Sequence, residues 1–309
     1  MKKYLVTGGA GFIGSTIVRA LLEQGDFVRV LDNFSTGKRE NLAGLKVEML
    51  EGDLRDPAMV AEAVKDIDVA FHEAAFVSVP QSMEDPLPCF EVNQRGTEIL
   101  LEAARKADVR RVVLASSAAV YGDLEQMPLE EHFPLRPLSP YAVSKRVDEL
   151  YAEMYTRSFG LDVVALRYFN VYGPRQRPDS MYAAVVPIFA RRLLDGKPIT
   201  IYGDGGQTRD LVFVGDIVRA NLLASEHPEA PGQVFNICGG DEIRVIDLVE
   251  VLMDLFPNAP APEFAPPRAG DIYRSVGSPA KAGKILGFKA QTSLDAGLKA
   301  VVDWMKEIG

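Results

Sequence analysis

Short apolar runs alternate along the chain with stretches whose apolar residues recur at helical spacing. Tyr4-Leu5-Val6 reads as a first strand, and residues 27–31, 47–50, 69–73, 112–116 and 162–167 read as further strands. Helical patterns lie between them. In 11–24, Ile13, Ile17, Val18, Leu21 and Leu22 fall on one face, and Gly25 ends the run. Residues 57–65, 91–107 and 141–159 read as helices on the same grounds. Regular strand–helix alternation predicts an α/β fold, a doubly wound parallel sheet with helices on both faces. After about residue 170 the texture changes. Gly and Pro become frequent, as in Gly173-Pro174, Gly196-Lys197-Pro198 and Gly203-Asp204-Gly205-Gly206, and proline is dense from 257 to 267. The expected organisation is therefore a larger domain over 1–169 and a smaller α/β cap over 170–309. Some segments of the second part cross back to the first, and the ligand lies between the two.

Composition narrows the function classes. The 309 residues carry a formal charge of 34 − 43 = −9, and mean hydropathy is +0.01. A chain this long buries a sizeable core without a metal or disulfide. No run approaches the roughly 18 apolar residues of a membrane span. The acidic balance argues against broad binding to nucleic acid or anionic lipid, so an anionic ligand must be held by locally placed donors. There are two cysteines, Cys89 and Cys238, and three histidines, with no CxxC or HxxxH pair. No metal site is expected, and the cysteines read as reduced core residues of a cytoplasmic protein. Met1-Lys2-Lys3 ahead of an apolar run resembles the start of a secretion signal. Glycines at 8, 9, 11 and 14 interrupt that run.

Those glycines carry chemistry. Gly8-Gly9-Ala10-Gly11-Phe12-Ile13-Gly14 sits between the first strand and the first helix, as in the dinucleotide-binding turn of a Rossmann-type fold. Glycine suits a tight turn that a pyrophosphate approaches closely, and the helix N-terminus supplies amide donors and partial positive charge. Asp32 ends the second strand, 18 residues after Gly14. A carboxylate there accepts from both ribose hydroxyls and repels a 2′-phosphate, favouring NAD over NADP. Asp53-Leu54 follows the third strand and is placed to meet the adenine edge; its plainer reading is a helix cap ahead of Pro57.

Ser139-Pro140-Tyr141-Ala142-Val143-Ser144-Lys145 is the second signal. Serine as N-cap and proline at the first position start a helix, which sets Tyr141 and Lys145 at i and i+4 on one face. An ammonium beside a phenol, helped by a positive nicotinamide ring, favours the phenolate. Such a tyrosine removes a hydroxyl proton while hydride leaves to the nicotinamide. Ser116-Ser117 ends the 112–116 strand at the ligand side of the sheet. There Ser117 is placed to relay the proton to Tyr141, and Ser116 to shape the pocket.

With these residues the sequence resembles the extended short-chain dehydrogenase/reductase family, and within it the UDP-hexose 4-epimerases. The resemblance spans essentially the whole chain. It rests on the 8–14 turn, Asp32-Asn33-Phe34-Ser35-Thr36-Gly37, Gly52-Asp53-Leu54, His72-Glu73-Ala74-Ala75, Val92-Asn93, Ser116-Ser117, Tyr141 with Lys145, and Arg167-Tyr168-Phe169-Asn170. It implies NAD contacts from Gly8, Gly11, Phe12, Ile13, Gly14, Asp32, Asn33, Ser35, Thr36 and Gly37. It implies further NAD contacts from Asp53, Leu54, Ala74, Ala75, Asn93, Ser116, Tyr141, Lys145 and Tyr168. His72 is read as part of a strand–turn signature rather than as a catalyst. The resemblance implies that Asn170 contacts the diphosphate, that Arg209 and Arg268 hold phosphate and ribose, that Asp271 holds ribose hydroxyls, and that Tyr202 lies beside the uracil. Ser78, Ser117, Tyr141, Ala184, Val185 and Ser275 complete the implied UDP-sugar pocket.

The resembled family also holds 4,6-dehydratases and sugar-acid decarboxylases. Dehydratases carry an acid pair just after the catalytic serine or threonine, and decarboxylases carry one glutamate there. This chain has Ala118 and Ala119, which favours plain epimerisation. Glucose-restricted enzymes resemble this stretch with tyrosine at Ser275 and asparagine at Ala184, so the small residues here are expected to admit an N-acetyl group. The remaining readings are a related enzyme of UDP-hexuronic acid or a GDP- or dTDP-sugar, and a catalytically silent NAD-sensing protein. The 91–107 and 141–159 helices carry apolar residues on more than one face, among them Val147, Leu150, Tyr151 and Met154. With the resemblance, this implies a homodimer built on a four-helix bundle.

Overall fold

A computed structural model of the chain describes residues 1–178, 185–267 and 273–308. In chain order the elements are β1 (Lys3–Thr7), α1 (Phe12–Glu23), β2 (Phe27–Asp32), β3 (Glu48–Glu51), α2 (Pro57–Ala63), β4 (Val69–His72), α3 (Val79–Glu84), α4 (Pro86–Cys89), α5 (Gly96–Lys106), β5 (Arg111–Ser117), α6 (Pro140–Met154) and β6 (Asp162–Tyr168). Beyond them come β7 (Asn170–Tyr172), α7 (Val185–Leu194), β8 (Thr200–Tyr202), β9 (Thr208–Arg209), β10 (Leu211–Phe213), α8 (Val214–Glu226), β11 (Val234–Ile237), β12 (Ile243–Arg244), α9 (Val245–Asp254), β13 (Glu263–Ala265), α10 (Ala280–Leu286) and α11 (Leu294–Glu307).

Seven strands form one sheet in the order β11-β6-β5-β4-β1-β2-β3, and every neighbouring pair is parallel. A parallel sheet must be covered on both faces, and the strand sequences supply apolar residues to both. Val6, Val30, Phe71, Val113 and Val164 pack under α1, α8 and α10 through Ile17, Leu21, Ile217, Ala220 and Leu286. Leu5, Leu31, Ala70, Val112 and Ala165 pack under α2, α5 and α6 through Val60, Leu100, Leu101, Ala104 and Ala152. A separate core joins α7, α9 and α11 through Phe189, Leu193, Leu248, Leu252, Leu298 and Val302. This is the Rossmann-type doubly wound arrangement that the strand–helix alternation predicts. From β1 the chain builds outward to β2 and β3 on one side and to β4, β5 and β6 on the other. The crevice at that reversal, at the carboxyl ends of the strands, is where such sheets bind ligands.

β11, from beyond residue 170, completes the sheet, and α8 and α10 cover it. Other details differ from the pattern reading. The region read as one helix over 91–107 holds a π-helical turn, Phe90–Arg95, followed by α5. Two short helices precede it, each started by a side-chain cap and an early proline: Ser78 for α3 and Asp85 for α4. The helix read over 141–159 is α6 plus a π turn, Tyr155–Phe159, closed by Gly160 at φ +73°. Apolar periodicity over one or two turns does not separate α from π winding. Among the described residues, no helix is long and apolar enough to cross a membrane. Cys89 and Cys238 are free and buried.

Candidate functional site

The β1–α1 turn is built for close approach. Gly8 sits at φ +68°, and a Cβ there would lie 2.7 Å from the Ala74 backbone nitrogen. A Cβ on Gly14 would lie 2.2 Å from the Gly8 carbonyl oxygen. Both contacts are with backbone, which cannot swing aside. No side chain caps α1 at Gly11, so the amides of its first turn, at Phe12, Ile13 and Gly14, face the crevice as donors. Asp32 is 7% exposed. Its Oδ2 accepts from the Ala10 amide at 2.9 Å and its Oδ1 from the Phe34 amide at 2.8 Å, which fixes the carboxylate at the end of β2. Gly37 packs against it, since a Cβ there would be 3.0 Å from Asp32 Oδ1. Asn33 accepts from the Ser35 amide and donates to Asp53 Oδ2 at 2.8 Å, tying the 33–37 loop, with Thr36, to the end of β3. The anion-accepting turn and the fixed acid fit a dinucleotide.

Asp53 is not a helix cap. Asp56 caps α2, accepting from the Ala58 and Met59 amides. Asp53 instead receives Arg55 through its backbone and guanidinium at 2.8–2.9 Å, and these hydrogen bonds hold its carboxyl well below the usual range. Leu54 is buried beneath Gly96.

The floor of the site is the end of β4. Burial, and then Lys145, push His72 down to about 3. Its ring lies 2.7 Å from the Thr7 hydroxyl and 2.9 Å from that of Thr97, a neutral structural role. Asn93 is brought inward by the π turn and is almost fully buried. It accepts from the Phe76 amide at 2.7 Å, donates to the Phe76 carbonyl at 3.0 Å, and donates to Ser144 Oγ at 2.9 Å. It thereby ties the loop after β4, with Ala74 and Ala75, to α6.

On α6, Ser139 caps by accepting from the Ala142 amide, and Pro140 is the first residue. Tyr141 is half-buried and Lys145 buried. Lys145 Nζ lies 3.2 Å from Asp148 Oδ2. Ser117 ends β5 and accepts from the Ala119 amide at 3.2 Å. Ser116 is buried and donates to Glu149 Oε1 at 2.8 Å, so it supports the site from behind. Glu149 also takes two hydrogen bonds from Arg167, at 2.6 and 2.9 Å, and one from Arg146 at 3.0 Å. Tyr168 donates to Glu73 Oε1 at 2.8 Å and accepts from Asn221 at 2.7 Å. Burial raises Glu73 to about 7, with Tyr168 and Lys145 opposing.

The cap side meets the site at Asn170, whose amide and side chain both donate to the Asp210 carbonyl. The Asp210 carboxylate accepts from the amides of Gly239, Gly240 and Gly277, and burial raises it to about 6. It knots three segments beside Asn170. Gly277 lies on the Phe169 ring, where a Cβ would be 2.5 Å from Cζ, which brings half-buried Ser275 to the same corner. Tyr202 lies on β8 and Arg209 on β9, both half-buried. Val185 opens α7, and Ser78 caps α3 at the rim. Ala184, Arg268 and Asp271 lie outside the described residues. The sequence reading assigned no role to Glu73, Asp148, Glu149 or Asp210. Of these only Asp148 left a local signal, falling on the Tyr141/Lys145 stripe of α6.

Residues 4–238 match the sequence profile of the NAD dependent epimerase/dehydratase family. The chain is 41% identical over 310 residues to the UDP-glucose 4-epimerase of Mycolicibacterium smegmatis, covering 98% of each chain. Its fold superposes with a TM-score of 0.95 on a UDP-N-acetylglucosamine 4-epimerase from Methanobrevibacter ruminantium solved with UDP-N-acetylmuramic acid, at 38% identity over 100% of this chain and 99% of the other. It also matches the UDP-glucose 4-epimerase of Thermus thermophilus solved with NAD, with a TM-score of 0.89 and 43% identity over 98% and 99% of the two chains. The chain thus belongs to the NAD dependent epimerase/dehydratase family and is an NAD enzyme of the UDP-glucose 4-epimerase type.

Proposed function

We propose that the protein is a 4-epimerase of UDP-hexoses that interconverts UDP-glucose with UDP-galactose and UDP-N-acetylglucosamine with UDP-N-acetylgalactosamine, serving galactose metabolism in the cytoplasm. The observation that carries the reading is the α6 stripe of Tyr141 and Lys145 on a helix packed against β5 and the turn after Ser117, with Ala118 and Ala119 in that turn where elimination or decarboxylation would need an acid. Residues 1–169 would serve mainly the cofactor and 170–309 mainly the nucleotide sugar.

NAD, when bound, would supply the acceptor and donor for a hydride at C4 of the sugar. The chain's own residues do the rest. The uncapped first turn of α1 binds the dinucleotide pyrophosphate, and Asp32 receives the adenosine ribose hydroxyls. Tyr141 takes the C4 hydroxyl proton, directly or through Ser117, and gives it back after the 4-keto sugar has turned its other face. Lys145 holds a positive charge beside the phenol oxygen throughout. Asn170, Arg209 and Arg268 hold the diphosphate while the hexose turns, with arginine suited by its bidentate fork. Small side chains at Ser275 and Ala184 leave space beside C2 for an N-acetyl group.

A homodimer is part of the reading. Val143 and Leu150 on α6, with Phe159 beyond it, are 42–52% exposed. A groove beside them is lined by Ile99, Ala103, Met154 and Tyr155, a face that a second copy would cover.

The test is incubation of the purified protein with UDP-galactose and with UDP-N-acetylgalactosamine, each resolved into epimers by chromatography. Conversion of both is expected. Conversion of neither would sink the epimerase reading, and conversion of UDP-galactose alone would sink its N-acetyl half.

A further inference from the structure

We propose that Asp148 is a positioning residue of the active site, tethering the Lys145 ammonium beneath Tyr141 and supplying its counter-charge. This rests on the roles given above to Tyr141 and Lys145. The three residues stand at i, i+4 and i+7 on α6, a single stripe of the helix. Lys145 Nζ and Asp148 Oδ2 are 3.2 Å apart, with side chains 4% and 1% exposed. An ammonium so far out of water is costly unless paired. The other nearby carboxylates are engaged elsewhere: Glu73 by Tyr168, and Glu149 by Arg167, Arg146 and Ser116. Among the described residues, Asp148 is the carboxylate that forms an ion pair with Lys145.

The titratable groups facing the pair are Tyr141, Glu149 and Tyr151 of α6, His72 and Glu73 at the end of β4, and Cys89 of α4. His72 is neutral above about pH 3. Burial alone would push Lys145 down. Asp148, ahead of Tyr141 and Glu73, more than offsets that and holds the ammonium above its ordinary range. Burial raises Asp148 to about 6 against the pull of Lys145, so the pair is ionic at neutral pH. Without the carboxylate the largest contribution opposing burial is lost, and Lys145 gives up its proton at a lower pH.

The experiment compares wild type and Asp148→Asn as NAD-loaded full chains, with kcat and KM for UDP-galactose measured from pH 6 to 10. The basic limb of kcat is expected to move down by about one pH unit or more, with KM and bound NAD within about threefold of wild type. Asp148→Glu, which keeps the charge, should retain the wild-type limb even where kcat is lower. A kcat lost equally at every pH, or an unchanged profile, would make the pair merely structural and overturn the proposal. Should the Asn variant not fold, Asp148→Ser leaves room for water and is read the same way. Wild type that turns over no UDP-hexose would refute the epimerase reading instead. The tether is then read by 13C-lysine NMR titration, in which the Lys145 resonance must titrate at lower pH in the variant than in wild type.

Discussion

Replacing Glu149 by leucine probes the link between the core and the catalytic strand. Arg167 and Glu149 are 2% and 0% exposed and meet at 2.6 Å. In Glu149→Leu the Arg167 guanidinium stays buried, keeping Tyr121 Oη at 2.8 Å and a weak 3.4 Å bond to the Glu131 carbonyl. Removing one partner of such a pair costs about 3–5 kcal/mol. Arg167→Met should cost less, roughly 1–3 kcal/mol, because Glu149 keeps Ser116 at 2.8 Å and the partly exposed Arg146 at 3.0 Å. The double variant removes both charges and should cost about 2–3 kcal/mol less than the sum of the singles. Urea unfolding followed by far-UV circular dichroism at pH 7 measures all three differences. Additivity within about 0.5 kcal/mol would mean that the stranded guanidinium carries no penalty.

Gly14→Ala drives a methyl to 2.2 Å from the Gly8 carbonyl and should weaken NAD binding by about tenfold or more by calorimetry. Gly283→Ala meets nothing closer than 3.4 Å and should leave NAD affinity as it is. Tyr141→Phe should lower kcat by about 10²–10⁴-fold while NAD and UDP-sugar affinities hold. Loss of binding instead would assign Tyr141 to the pocket wall. Ser275→Tyr should remove turnover of UDP-N-acetylgalactosamine and spare UDP-galactose; equal loss on both would count against the steric argument. His72 is held down at about 3 from an ordinary 6.5, so its stabilising contribution is full above pH 6.5 and fades as pH falls towards 3. The stability cost of His72→Gln should therefore shrink by about 2 kcal/mol between pH 7 and pH 5, and a cost that does not change with pH would contradict this.

What was legible in the sequence was local. The 8–14 turn, Asp32 closing β2, and Ser139-Pro140 starting α6 lie within a few residues of the structure they specify. The sheet followed from alternation alone, because strands covered on both faces read as continuous apolar runs. β11 was not legible, since Val234-Phe235-Asn236-Ile237, a short run broken by a polar residue in an irregular stretch, joins the sheet only by a long crossover. The buried acids hid for the same reason. Glu73 meets Tyr168 across 95 residues and Asp210 meets Gly277 across 67, spacings that only the topology closes. Asp53 showed the limit of cap reasoning. Two acids precede α2, and the one next to Pro57, Asp56, makes the cap, leaving Asp53 to Arg55 and Asn33.

The central claim is that hydride leaves C4 and returns to C4 on the opposite face within one binding event. UDP-galactose carrying deuterium at C4, incubated with the enzyme in ordinary water and analysed by NMR and mass spectrometry, tests it most directly. UDP-glucose with the label retained at C4 is expected. Label lost to solvent, or a product that is dehydrated or remains oxidised at C4, would contradict it.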